Sequence, residues 1–149
     1  MAVKSVFTRT STRKSNQIKC NFQLMSNKDL ELIVTKINEH LPKGKIKLSN
    51  HLKNKELPVP YEELSSTLRN VNKKSIIELN KDLETGNIKV LLKGNKKVIT
   101  EHGKKFYMNT FIVYSLTTDS VVTTWIGYDK RNYADNFVKI DIRKLLKDL

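Results

Sequence analysis

A chain of 149 residues that is 38% hydrophobic and 29% charged can bury one core, and no stretch in it approaches the roughly 18 consecutive apolar residues of a membrane-spanning helix. Its formal charge of +13, from 28 Lys and Arg against 15 Asp and Glu, points to polyanionic partners, with nucleic acid first. The lone Cys20 excludes an intramolecular disulfide and a cysteine-built zinc site.

In chain order, MAVKSVFTRTSTRKSNQ is charged and lacks an apolar run, so it does not read as a secretory signal. With a single thiol, a reducing cytoplasm is the expected place of action, delivery from another cell or a virus being compatible with it. Residues 3–8 and 18–25 read as strands, the second through the alternation of Ile18, Cys20, Phe22 and Leu24. The basic stretch RTSTRKSNQ between them predicts a hairpin that joins or extends a sheet. Ser26 or Asn27 can cap a helix over 28–41, with Leu30, Ile33, Ile37 and Leu41 on one face and Pro42 and Gly44 to end it. The segment KGKIKLSNHLKNKELPVP fits either a loop or a short helix, and Pro60 suits the first turn of a helix carrying Tyr61, Leu64, Leu68 and Val71.

From Ser75 onward the period changes to two. Strands are predicted over 75–79, 87–92, 97–100, 107–116 and 121–128, with turns at 84–87, Gly94-Asn95 and 118–120. Residues 140–149 read as a short helix with Ile142, Leu145 and Leu146 inward. The expected class is α+β: N-terminal strands and two helices, then a four- to five-stranded antiparallel sheet and a short C-terminal helix. The chain forms one domain, a hairpin plus helical part over 1–74 and a sheet part over 75–149.

The charge is uneven: residues 1–75 carry 15 basic and 6 acidic side chains, and the rest 13 and 9. With 23 Lys against 5 Arg, contacts should depend on backbone charge and shape, because Lys offers phosphate a point charge without the fork that reads guanine. A Lys- and Asn-rich composition also fits biased coding. Three scattered histidines and no acidic cluster at ligand spacing predict neither metal nor cofactor.

Metal-free cleavage of RNA needs a base for the 2′-hydroxyl, an acid for the leaving oxygen and a cation for the phosphorane. His102, beside Gly103, Lys104 and Lys105, is the candidate proton carrier; its plainer reading is a solvated turn residue, and His40 and His51 read as surface histidines. Lys89 and Lys93, four apart on one strand, share a face. Tyr107 and Tyr114 suit phosphate contacts or base stacking, or simple packing. Val121, Thr123 and Trp125 share one face by alternation and Val122, Thr124 and Ile126 the other. Periodicity leaves open which is core, so Thr124 stands in reserve for Thr123. After that strand, Lys130, Arg131 and Tyr133 offer cations and a ring, while Asp135 and Asn136 can fix the loop.

The succession SIIELN, GNIKVLLKG, HGKKFYMNTFIVYSL, SVVTTWIGY and ADNFVKID resembles, over residues 75–141, metal-independent ribonuclease toxins of the barnase–EndoU–colicin–RelE superfamily (BECR fold). Lys89 and Lys93 match the two basic positions of its R-V-x-x-R strand. Thr123 and Trp125 match the Thr and aromatic of its "vvTaW" strand. Asp135 and Asn136 match the start of its Asp-Asn-His-like element, where Phe137 stands in place of His. The resemblance implies an endoribonuclease working by 2′-hydroxyl attack. Its catalytic set would be His102, substituting for the missing His, with Lys93, Thr123 and Tyr107. Lys89, Lys104, Lys105, Tyr114, Lys130, Arg131, Tyr133, Asp135 and Asn136 would hold the RNA. Structured RNA such as tRNA would be the substrate, and an acidic inhibitor or immunity protein a second partner. His102 and Lys93 are expected to meet across one groove. The alternatives are a non-catalytic nucleic-acid-binding protein of a virus or mobile element, and a structural protein with an acidic partner.

Overall fold

The computed structural model describes residues 17–128, 141–147 and 149. Strand β1 (Gln17–Asn21) ends earlier than the alternation predicts. The Asn21 side chain accepts the N–H of Gln23 at 2.9 Å and turns Phe22–Leu24 into a 3-10 turn, a local hydrogen bond that competes with the ladder. Helix α1 (Asn27–His40) opens on a capping box: Ser26 Oγ accepts the Asp29 N–H and the Asp29 carboxylate accepts the Ser26 N–H, both at 3.1 Å. The lysine-rich segment resolves into β2 (Lys47–Leu48) and a one-turn helix α2 (Asn50–Lys53). Helix α3 (Tyr61–Arg69) follows Pro60 with Glu62 and Glu63 in its first turn, where the helix dipole favours them. Strands β3 (Ile76–Asp82), β4 (Ile88–Glu101), β5 (Lys104–Ser115) and β6 (Ser120–Gly127) form a meander, and α4 (Ile142–Leu146) closes the chain.

The α+β class holds, and both parts of the chain enter one six-stranded sheet of order β1-β3-β4-β5-β6-β2. β1 joins β3 antiparallel, as expected of an N-terminal strand; its predicted partner at 3–8 lies outside the described residues. The sheet is not wholly antiparallel, since β2 pairs parallel with β6. On one face, Ile33 and Ile37 of α1, Leu64 and Leu68 of α3 and Ile142, Leu145 and Leu146 of α4 share a core with Leu79, Val90, Leu92, Ile112 and Val121. Each fully buried aliphatic side chain contributes about 1.5–3 kcal/mol.

The described strands carry three register shifts; one lies in β3 between Ile76 and Glu78, and the other two depart from the predicted pattern. Gly94-Asn95 is not a turn between two strands: β4 runs through it as one strand, with a register shift between Lys93 and Lys96. A Cβ at Gly94 would lie 3.0 Å from Thr67 Cγ2, so α3 approaches closely there and a side chain fits only if Thr67 gives way. The second of these two is in β6, where Val113 pairs with Thr123 but Tyr114 with Val121, leaving Val122 as the extra residue. Ser49 satisfies that bulge, its hydroxyl donating to the Val122 carbonyl at 2.9 Å and its N–H to the Val121 carbonyl at 2.8 Å.

Candidate nucleic-acid interface

The bulge at Val122 reverses the parity of β6. Val121 faces the core, and so does Thr124, whose hydroxyl donates to the Phe111 carbonyl at 2.7 Å. Thr123 and Trp125 point to the other face, on which no described helix packs. Val121 therefore does not share a face with Thr123, and Thr124 is a structural residue. Alternation along β4 and β5 puts Lys89, Leu91, Lys93, Lys96 and Val98 on that helix-free face, with Lys105, Tyr107, Asn109, Phe111 and Val113.

The aromatic residues there form a corner, Trp125 beside Phe111 across the ladder and Tyr107 further along β5. Phe111 and Trp125 stack with centroids 5.4 Å apart and planes 18° from parallel, Phe111 buried beneath and Trp125 39% exposed. Tyr107, four residues before Phe111 on β5, lies about 13 Å away at strand rise. Its ring is 55% exposed, with Lys96 Nζ 5.4 Å from its centre. Lys93 pairs with Phe111 across the ladder and Lys89 with Ser115, so cations flank the rings.

β1 and β3 extend the face with Lys19, Glu78 and Asn80. Burial, only partly offset by the Lys19 charge, pushes the Glu78 carboxyl above its ordinary range. Sequence patterning gave no sign of this, because strand alternation does not report how far a polar side chain is withdrawn from water. Asp82, at the same strand's end, is instead lowered by accepting the N–H groups of Thr85 and Glu84.

His102 and Lys93 do not meet. His102 (φ 52°) and Gly103 (φ 76°) form the two-residue turn between β4 and β5, the left-handed pair that a hairpin twist demands. Lys93 lies nine residues back along β4, roughly 30 Å away at strand rise. Because Gly94-Asn95 is a bulge and not a turn, the hairpin is long and carries His102, Lys104 and Lys105 to its tip, all exposed.

Tyr114 is a core residue and not a nucleic-acid contact. It is fully buried, its hydroxyl donates to the His40 carbonyl at 3.1 Å, and burial followed by the Asp119 charge pushes its pKa up. His40 is correspondingly no free surface histidine, since its Nδ1 lies 2.8 Å from Asp119 Oδ1. Lys97 is also withdrawn: it pairs with Glu63, which further accepts from the Thr110 hydroxyl at 2.6 Å, fastening α3 to β4 and β5. Burial raises the Glu63 pKa, but the Lys97 and Thr110 hydrogen bonds outweigh it and lower it overall.

Of the predicted site residues, the helix-free face thus gathers Lys89, Lys93, Tyr107 and Thr123, with Lys105 toward the tip. Lys130, Arg131, Tyr133, Asp135 and Asn136 lie outside the described residues, as does Phe137. Among the described residues no three His, Cys, Asp or Glu side chains gather to hold a metal, and no helix is long and apolar enough to cross a membrane. Comparison with known protein families, curated proteins and solved structures finds no match to this chain.

Proposed function

We propose that the protein binds single-stranded nucleic acid, RNA above all, on the helix-free face of its sheet. One observation carries this reading: Trp125, exposed and stacked on the buried Phe111, shares one face with the exposed Tyr107 ring and with Lys89, Lys93 and Lys96. Unpaired bases stack on such rings with little regard to sequence, and the ammonium groups hold the intervening phosphates. Duplex RNA hides its base faces and loses the stacking contribution. The test is fluorescence anisotropy with labelled single-stranded and duplex RNA. Single strands should bind more tightly, and their affinity should fall about 10²-fold between 50 and 200 mM salt if five phosphates are engaged. Equal binding of both forms, or a flat salt titration, contradicts the reading.

A second reading, endoribonuclease activity, continues the BECR resemblance and is favoured by Glu78. A carboxyl held above its ordinary pKa is suited to proton transfer, and Lys89 is its diagonal neighbour across the ladder. In this reading Glu78 takes the role expected of His102. Incubation with RNA in EDTA should then yield ends carrying 2′,3′-cyclic phosphate, and Glu78→Gln should slow cleavage by about 10²–10⁴-fold with binding retained. Intact RNA leaves the binding function alone.

A further inference from the structure

A polar notch lies where β4 leaves β3. The last residue of β4 paired to β3 is Leu92, opposite Ile76, and immediately beyond it the bulge meets the end of α3. The notch, about 390 Å³, is walled by Ser66, Thr67 and Asn70 at the end of α3, by Lys74 and Ser75 before β3, and by Lys93 at the bulge. No carboxylate and no aromatic ring lines it. Gly94 lets the bulge pack closely against Thr67 at the edge of the notch.

We infer that this notch binds a phosphoryl group and its attached sugar, and that it continues the strand's path off the aromatic face. Its donors suit that ligand. Lys74 supplies positive charge. The Ser75 oxygen accepts the Asn72 N–H at 3.2 Å, which leaves its own hydrogen to donate. The Thr67 hydroxyl oxygen, shielded from solvent without a hydrogen-bond partner, lies beneath the wall of the notch against Gly94 and is not one of its donors. The lack of a ring or aliphatic wall argues against a base as the occupant, and a volume above 300 Å³ exceeds what phosphate alone fills. Lys93 belongs both to this wall and to the row of Phe111 and Trp125, so one strand can reach the stack and the notch together.

The inference rests on the single-strand reading, and the test separates the two. Amide shifts of ¹⁵N-labelled protein are followed with ribose 5-phosphate, with a 5′-phosphorylated oligoribonucleotide and with its 5′-hydroxyl counterpart. Ribose 5-phosphate should move Thr67, Ser75 and Gly94 but not Trp125, and the phosphorylated oligonucleotide should move both groups. Notch shifts with both oligonucleotides assign an internal backbone phosphate, and shifts with the phosphorylated one alone assign a terminal phosphate. Lys74→Gln and Ser75→Ala should each weaken binding about 3- to 30-fold, and Lys74→Gln should lower the salt slope by about 0.7. Notch amides unmoved by ribose 5-phosphate, or moved equally in Lys74→Gln and Ser75→Ala, overturn the inference even if the oligonucleotide still moves Trp125. Notch shifts with ribose 5-phosphate but no oligonucleotide binding uphold the notch and refute the single-strand reading.

Discussion

On the helix-covered face of the sheet, Leu79, Val90, Leu92 and Ile112 are fully shielded, and the polar groups among them, Thr110, Tyr114 and Thr124, each donate to a named acceptor. The opposite face is built differently. It exposes Tyr107, Trp125 and Val98, carries lysines beside a dehydrated carboxyl at Glu78, and leaves Asn21 Nδ2 and Asn80 Oδ1 shielded without a partner. The first arrangement is largely satisfied within the chain, although the Thr67 hydroxyl of the overlying helix is shielded without a partner. The second retains costs that packing alone would remove, and such costs concentrate where a surface meets a ligand. Substitutions on the two faces should therefore separate stability from binding.

The largest effect is expected on the covered face. Leu92→Ala should destabilise by about 2–5 kcal/mol through lost burial and a residual cavity, read by urea unfolding. Next, Trp125→Ala should cost about 1–3 kcal/mol of oligonucleotide affinity, while stability drops only by the stack with Phe111, about 0.5–1.5 kcal/mol. A Trp125→Ala protein that unfolds as readily as Leu92→Ala would erase the distinction between the faces.

Tyr114→Phe should cost about 1 kcal/mol at neutral pH by removing the hydrogen bond to His40. It should also change the alkaline limb. Burial and Asp119 hold the folded phenol protonated above its ordinary pKa of 10.0, so above that pH the unfolded chain releases a proton the folded one keeps. Wild-type stability then falls as pH rises beyond about 10, and the Phe variant should lack that part of the decline.

The smallest expected effect belongs to Glu78. Its folded pKa lies above 4.5, so the stability it contributes is full below pH 4.5 and is lost as pH rises through the folded value. Glu78→Gln should therefore be as stable as wild type or more so at pH 7, with a flatter acid limb in melting curves. A marked loss of stability would make Glu78 a structural residue.

Much of the covered face was legible in the sequence. Ser26 announced its helix, Ile33 and Ile37 fell at helical spacing, and Ile142, Leu145 and Leu146 proved buried as read. What escaped were events between strands. A bulge sets two residues opposite one and leaves no mark on either strand read singly, so Gly94-Asn95 passed for a turn and Val121 for a neighbour of Thr123. From these two misreadings followed the expected meeting of His102 with Lys93 and the open choice between Thr123 and Thr124. The shared face of Lys89 and Lys93 was legible because no bulge separates them. The withdrawal of the Glu78 carboxyl from water was not, because strand alternation does not report it.

The protein has one tryptophan, Trp125, and it stands at the centre of the proposed interface, so its own fluorescence reports on the central claim. Adding a single-stranded oligoribonucleotide at low salt should quench that emission saturably, and raising the salt should restore it as the complex dissociates. An oligonucleotide that binds by anisotropy while Trp125 emission stays unchanged, or that does not bind at all, would contradict the account.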